Sequence, residues 1–382
     1  MSPPPSSSSS SPSSSSPSSE DAYTLLSTYL LSPTPLEISL LPSITPSILF
    51  TPPHLGIPKR QLLDAFAHAH ALFFPASPAA APPAAHDVVR QQASLLLLLA
   101  SSEHVTAINA RKRLLLSATD APITTPPAPP AITPQLELSL THSLLTSALM
   151  RHNKSPAIWA YRRWLLITFR TTLLPAAVDR ELGEKLGREL AIVRASAEQH
   201  AKNYYAWEHA RWAVGFFGSG TTHGADTPAA DTADMSADTA DTSADMSADM
   251  IAQQLRWCRQ HVSDVSGWTF LAWVLERSAA GVGAGAGARE GVLAEVLKFA
   301  VVAPGHEALW AFVRIVAVGL EREAWERVLV KGVGEREGEG GGEGGGEERE
   351  RDRVLREKAV AWVAKWGGGR TKAAEHGGHN HS

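Results

Sequence analysis

Lys202-Asn-Tyr-Tyr-Ala-Trp207-Glu-His-Ala-Arg211-Trp212 is the stretch of this 382-residue sequence that decides the fold. Its two tryptophans are five positions apart, which places them about 140° apart around an α-helix. The helix therefore presents a bulky apolar side chain to two sides. A helix that packs against its hairpin partner and against the next hairpin of a stack needs both contacts. The stretch thus predicts one helix of a helical repeat.

The same pattern recurs along the chain. Residues 154–164, Lys-Ser-Pro-Ala-Ile-Trp-Ala-Tyr-Arg-Arg-Trp, and residues 264–273, Asp-Val-Ser-Gly-Trp-Thr-Phe-Leu-Ala-Trp, carry the two tryptophans after a polar, turn-like stretch. Fainter copies are centred on Ile108 and Trp310. The spacing is roughly 40 to 50 residues, except where an insertion lengthens one gap, and it fits one pair of helices per repeat. Four tryptophan anchors are predicted to be structural core residues: Trp159, Trp207, Trp268 and Trp310.

Apolar residues at three- and four-residue spacing continue on both sides of these motifs, so the predicted fold class is all-α, an α-α superhelix of helical hairpins. The region from Leu36 to Phe50, broken by several prolines, alone looks extended. The predicted organisation is a disordered Ser/Pro arm (1–19), an N-terminal helical region (20–94), the repeats (95–320) with a disordered insertion (218–249), C-terminal helices (321–366) with a Gly/Glu-rich loop (332–352), and a disordered tail (367–382).

The low-complexity segments are predicted to be disordered because they contain too few apolar residues to offset chain entropy. The insertion repeats Ala-Asp-Thr or Ala-Asp-Met, and its aspartates suggest either a cation-binding strip or a solvated segment. It lacks the bidentate glutamate of a calcium loop. The tail ends in His376, His379 and His381, which suggest either a metal site or an unstructured tail.

Composition excludes several classes of function. A formal net charge of -4 does not predict nucleic-acid binding, which requires a basic face. Cys258 is the single cysteine, so neither an intrachain disulfide nor a thiolate zinc site is expected, and a reducing, cytoplasmic location is predicted. The longest apolar run, Leu95–Ala100, is too short to span a bilayer. No phosphate-binding loop or His-Glu-x-x-His zinc pair is present, so we do not expect a self-sufficient catalyst.

The motifs at 154–164 and 202–209 resemble the repeat of protein prenyltransferase α subunits. The first, with proline where most members have tyrosine, resembles the branch called protein prenyltransferase α-subunit repeat-containing protein. The resemblance covers about residues 95–320. It implies a crescent of helical hairpins around a separate β subunit, most closely of the Rab geranylgeranyltransferase type. The β subunit carries the zinc, so no cofactor is expected on this chain. The implied reaction transfers a geranylgeranyl or farnesyl group from an isoprenoid diphosphate to a cysteine of an acceptor protein.

The resemblance also implies roles for single residues. Lys154 matches the family lysine beside the diphosphate, where an ammonium can stabilise the charge of the leaving group. Asn203 and Tyr204 match polar groups of the next repeat at the same rim, and Tyr205 stands where farnesyltransferases have a histidine. Each has a plainer interpretation: Lys154 as an exposed residue at a helix start, Asn203 as a helix cap, and Tyr204 as packing between repeats.

The sequence also departs from the family pattern. Pro156 replaces a common diphosphate-contacting tyrosine, and Ala210 and Leu271 occupy usual arginine positions. An interaction scaffold without a catalytic partner is therefore the rival hypothesis. The prenyltransferase hypothesis predicts that Lys154, Asn203 and Tyr204 converge on one concave rim, which a scaffold does not require.

Overall fold

The computed structural model describes nine ranges of the chain: 19–45, 47–75, 83–120, 132–149, 151–174, 179–218, 237–278, 285–331 and 346–366. The chain divides into two compact units, which we call unit 1 (Met1–Pro175) and unit 2 (Ala176–Ser382). Most described residues are helical and pack as hairpins, so the fold is all-α.

Unit 1 contains a helix and a small sheet, followed by further helices that include two hairpins. Its elements are α1 (Ser19–Tyr29), β1 (Glu37–Leu41), β2 (Leu49–Thr51), β3 (His54–Pro58), α2 (Lys59–Phe73), α3 (Pro83–Ala100), α4 (Val105–Asp120), α5 (Pro134–Thr146), α6 (Pro156–Thr168) and α7 (Arg170–Leu173). The hairpins are α3 with α4 and α5 with α6.

The extended region predicted at 36–50 forms a three-stranded sheet of order β1-β3-β2 that continues to Pro58. Strand β1 pairs parallel to β3, and β2 pairs antiparallel to it. Ile38, Leu55 and Ile57 are at most 2% exposed, which places them in the core. The sheet is too small to change the fold class.

Unit 2 is built of consecutive helical hairpins. Its elements are α8 (Asp179–Gln199), α9 (Tyr204–Gly218), α10 (Ala237–Gln260), α11 (Val265–Ser278), α12 (Gly285–Val302), α13 (Glu307–Val318), α14 (Arg322–Glu326), a π-helical segment (Arg327–Lys331) and α15 (Gly346–Trp366). Helix α8 packs on α9, α10 on α11, α12 on α13, and α13 on α15.

The tryptophan anchors are core residues of the hairpins. Trp159, Trp207, Trp268 and Trp310 are 1–2% exposed, and each lies on the second helix of its hairpin. In unit 2 the contact between successive repeats is regular. The Trp207 ring lies 5.3 Å from Phe270, and the Trp268 ring lies 5.0 Å from Phe312, so each anchor packs against the residue two positions after the next anchor.

Two segments predicted to be disordered are partly helical. Helix α10 begins at Ala237, so residues 237–249 of the insertion continue the helix rather than forming a loop, as their alanine content favours. Helix α15 begins at Gly346, and acidic residues in its first turn suit the positive end of the helix dipole. The remaining predictions of disorder, at 1–18, 219–236, 332–345 and 367–382, lie outside the described residues.

Candidate functional site

The predicted site residues lie in the turns that connect the two helices of each hairpin. The residue four positions before the anchor opens the second helix, and its side chain usually accepts a hydrogen bond from a backbone N–H three residues later, which is a helix cap. This cap is formed by His104 (to Ala107 N, 3.2 Å), Ser155 (to Ile158 N, 3.2 Å), Asn203 (to Ala206 N, 3.3 Å) and Asp264 (to Gly267 N, 2.9 Å). At the same position His306 forms no side-chain cap on α13.

Asn203 has a structural role in unit 2, whereas its predicted place beside a diphosphate stays a prediction. Its side chain is fully buried. The amide oxygen caps α9, and the amide nitrogen donates to Ser196 Oγ at 3.1 Å. Because both polar groups serve the fold of unit 2, the plainer interpretation as a helix cap applies, and we omit Asn203 from the proposed diphosphate contacts.

Lys154 lies in a turn that is held by the side chains of His152 and Trp159. His152 Nε2 lies 2.9 Å from the carbonyl oxygen of Leu98, and Trp159 Nε1 donates to the carbonyl oxygen of Asn153 at 3.0 Å. These bonds hold the turn in place on both sides. Lys154 itself is half-buried, and its ammonium has no hydrogen-bond or ion-pair partner within the described ranges. It is therefore an available positive charge on a turn whose backbone is held in place.

Tyr204 and Tyr205 form an exposed aromatic pair at the start of α9. Tyr204 is 63% exposed and Tyr205 is 38% exposed. Their rings lie 5.6 Å apart and meet edge to face. Within unit 2 they are thus surface groups available to a ligand or partner. Lys154 belongs to unit 1, so its convergence with this pair on one rim remains a prediction.

Successive turns of unit 2 are hydrogen-bonded to one another, which makes a continuous edge that we call the turn edge. Asp264 takes part because its carboxylate has a second oxygen besides the one that caps α11, whereas the His306 imidazole takes part without capping a helix. The bonds are Lys202 N to Asp264 Oδ2 (2.7 Å), Ser263 Oγ with His306 Nδ1 (3.2 Å), and Gly305 N to Asp352 Oδ1 (3.1 Å).

A groove of about 630 Å³ runs along the turn edge. Its charged lining consists of Lys202, Arg314, Arg351, Glu307 and Glu348. None of these five side chains forms an ion pair within the part of unit 2 that the structure describes. The charges therefore remain available to a ligand.

Lys202 occupies an unusual backbone conformation at the mouth of this groove. Its φ of 58° lies in the left-handed region, where a side chain clashes with the backbone at a cost of about 1–2 kcal/mol. Gly305, at the same repeat position, has a φ of 78°, and glycine carries no such cost. The turn shape is shared, but the repeat with Lys202 keeps a side chain there.

Sequence reasoning missed a buried charged network in unit 1. Arg111 is fully buried, and it donates to both carboxylate oxygens of Glu137, from Nε at 2.8 Å, and to the hydroxyl of Ser94 at 2.8 Å. Burial alone lowers the pKa of Arg111, but the Glu137 carboxylate raises it above its usual value. Arg111 lies three residues after an anchor position, as Arg162 does. This shared repeat position is the sequence feature that could have indicated a buried arginine. Arg162 is also buried, and it donates to the hydroxyl of Thr141 at 2.9 Å.

A second buried polar contact, a side-chain hydrogen bond to a glutamate, recurs at the position two residues after the anchor. The Tyr161 hydroxyl donates to Glu137 at 2.6 Å, and His209 Nε2 lies 3.0 Å from Glu189 Oε2. Burial, followed by the nearby Glu137 charge, holds the pKa of Tyr161 well above its usual value, so its hydroxyl keeps its proton. Each pair joins the two helices of one hairpin, and these residues are structural.

No group of three or more His, Cys, Asp or Glu side chains among the described residues is placed to hold a metal ion. No helix in the described ranges has the length and apolar character required to cross a membrane.

Two comparisons with known proteins bear on this arrangement. The model of the ECM9 middle domain family matches residues 158–282, which run from α6 to just beyond α11. The chain is also 32% identical over 78 residues to the zebrafish (Danio rerio) protein named protein prenyltransferase alpha subunit repeat-containing protein 1. That similarity covers 18% of this chain and 18% of the length of the zebrafish protein. The chain is thus similar to both over part of its repeats.

Proposed function

We propose that this chain is the α-type subunit of a heterodimeric protein prenyltransferase. In this role the chain supports transfer of a geranylgeranyl group, or a farnesyl group, to a cysteine of an acceptor protein in the cytoplasm. The zinc ion and the main catalytic groups lie on a separate β subunit of the Rab geranylgeranyltransferase type. The chain alone is inactive.

The observation that carries this proposal is the combination of the partial similarity to the zebrafish repeat-containing protein with the free charge of Lys154. The Lys154 side chain is half-buried, and it extends from a turn that is held by the hydrogen bonds of His152 and Trp159. A positive charge in such a place is suited to stabilise the negative charge that builds on a departing diphosphate. Tyr204 and Tyr205, both exposed, are proposed to complete the contact surface.

A non-catalytic interaction scaffold is the second candidate, and the role of Asn203 favours it. That residue is one of the motif positions on which the prenyltransferase resemblance depends, and its side chain is committed to a helix cap. The arginine positions of the later repeats, at Ala210 and Leu271, are buried apolar residues. A scaffold needs the tryptophan stack and the turn edge but does not need a charge at Lys154.

A transfer assay on the reconstituted heterodimer separates the two candidates. The chain is co-expressed with a Rab-type β subunit, and incorporation of a geranylgeranyl analogue into acceptor protein is measured. Lys154→Met is expected to lower the rate of transfer about 100-fold, the size of effect seen when one group that stabilises developing charge is removed. Lys59→Met is the matched control, because Lys59 is an exposed lysine at a helix start in the same unit.

The outcomes distinguish the hypotheses clearly. A complex that transfers the prenyl group and loses activity only with Lys154→Met supports the proposal. A stable complex without transfer would favour the scaffold, whereas transfer at equal rates by both variants would contradict the role of Lys154.

A further inference from the structure

We propose that the groove along the turn edge of unit 2 binds an acidic peptide segment of a partner protein. This inference is independent of the proposed transferase function, because the groove lining does not include Lys154, Tyr204 or Tyr205. It concerns unit 2 alone and is tested without a β subunit.

The charges of the groove favour a negatively charged ligand. Lys202, Arg314 and Arg351 contribute three positive charges, against two from Glu307 and Glu348. None of the three cations is neutralised by an ion pair with the described residues. A carboxylate placed between them would gain complementary partners without first breaking an existing pair, which favours both rapid encounter and specific binding.

The uncapped start of α13 adds to the positive potential, whereas the Asp264 carboxylate offsets this effect at the start of α11. Val265 and Glu307 line the groove, and they are the first residues of α11 and α13. The N-terminal end of a helix carries a partial positive charge and unpaired N–H groups. On α11 the Asp264 side chain satisfies one of these groups, whereas α13 has no side-chain cap. The start of α13 therefore supplies N–H donors to a carboxylate or a peptide carbonyl.

The lining is better suited to a peptide than to a cluster of phosphates. Glu307 and Glu348 would repel a dense negative charge, but they can accept hydrogen bonds from peptide N–H groups or pair with a basic residue. Val265, Ala308 and Ala311 contribute apolar surface beside the polar Ser263 and His306. A volume of about 630 Å³ exceeds the needs of a single ion and falls in the range of sites that enclose larger ligands.

Lys202 is preorganised for this role. Its backbone N–H is fixed by the bond of 2.7 Å to Asp264, and its left-handed conformation is retained despite the steric cost. Strained residues held by their surroundings are frequent at ligand-binding positions.

The test measures binding of a fluorescein-labelled peptide of alternating glutamate and alanine to the full chain by fluorescence anisotropy at low ionic strength. The double variant Lys202→Glu, Arg314→Glu is expected to weaken binding at least about tenfold, because two attractive contacts become repulsive. Arg256→Glu is the matched control: Arg256 is an exposed, unpaired arginine outside the groove, and its reversal should change affinity less than about twofold. Circular dichroism melting verifies that all variants are folded.

Raising the salt concentration to about 0.3 M should also weaken binding, because exposed charges are screened. The proposal is overturned if the wild-type chain does not bind the acidic peptide at low ionic strength, or if the double variant binds as tightly as the wild type. It is also overturned if a lysine–alanine peptide binds equally well. Displacement of the peptide by inorganic pyrophosphate, where an equal concentration of sulfate has no effect, would instead assign the groove to a phosphate ligand.

Discussion

Asp264 provides the sharpest test of how the repeats are joined, because its two carboxylate oxygens have separate tasks. Oδ1 caps α11 through Gly267 N at 2.9 Å, and Oδ2 accepts a hydrogen bond from Lys202 N at 2.7 Å, which joins two successive turns. The side chain is only 4% exposed, so water cannot fully replace it. Removing the carboxylate should therefore destabilise unit 2 through two independent losses.

The magnitudes of the two losses can be separated with two substitutions. A lost cap costs about 1 kcal/mol, and a lost hydrogen bond to a charged group costs at least about 1.5 kcal/mol. Asp264→Ala loses both, so the free energy of unfolding should fall by about 2.5 kcal/mol. Asp264→Ser keeps a capping hydroxyl but is too short to reach Lys202 N, so the loss should be about 1.5 kcal/mol.

Urea unfolding followed by far-UV circular dichroism measures these differences. Thr133→Ala removes the cap of α5 in unit 1, which is the one hydrogen bond of that side chain among the described residues, and it serves as the control for a lost cap. The reasoning is refuted if Asp264→Ala costs less than about 0.5 kcal/mol, the range of ordinary surface substitutions. Equal losses for the alanine and serine variants would refute the separate contribution of the cap.

Three further perturbations test the packing of the repeats. Trp268→Phe should destabilise the chain about 1 kcal/mol more than Trp207→Phe in the same urea assay. The reason is that the Trp268 Nε1 group donates to a backbone carbonyl, whereas the Trp207 Nε1 group has no partner in the described residues. Equal losses for the two variants would contradict this. Lys202→Gly should leave the free energy of unfolding unchanged or raise it by up to about 1 kcal/mol. Relief of the steric strain of the left-handed backbone outweighs the added entropy of the unfolded chain. A fall of more than about 1 kcal/mol in the free energy of unfolding, measured by chemical denaturation, would count against this strain. Arg111→Met should lower the free energy of unfolding by about 3–5 kcal/mol, because it leaves the buried Glu137 carboxylate without its cationic partner. A melting temperature close to that of the wild type would exclude a stabilising role for this ion pair.

The repeat architecture could be predicted because its signal is local. The Trp–x4–Trp spacing and the polar stretch before it are contained in about ten residues, and the helices and buried anchors Trp159, Trp207, Trp268 and Trp310 lie where that pattern indicates. Helical periodicity depends only on near neighbours in the chain, so a single sequence is sufficient to detect it.

The polar interior could not be predicted because its partners are distant in sequence. Arg111 is paired with Glu137, which lies 26 residues later on the first helix of the following hairpin, and the repeat position that Arg111 shares with Arg162 does not identify this partner. Asp264 likewise satisfies Lys202 from the following repeat. Sequence alone treats such residues as solvated charges, since charged side chains are rarely buried unless they are paired.

The candidate site was predicted in part. Lys154 and the two tyrosines lie where a ligand or partner can reach them, whereas Asn203 is a buried cap. A motif match cannot separate these cases, because an asparagine before a helix serves capping and ligand binding with the same atoms. The groove of the turn edge was not predicted, because it is assembled from three hairpin turns and the start of α15.

Association with a catalytic partner tests the proposed function most directly. The chain is co-expressed with a Rab-type prenyltransferase β subunit, and the mass of the purified species is measured by size-exclusion chromatography with light scattering. A subunit of the proposed heterodimer should elute with the β subunit as a stable 1:1 complex. Elution of the chain alone, with this and every other prenyltransferase β subunit tested, would contradict the assignment.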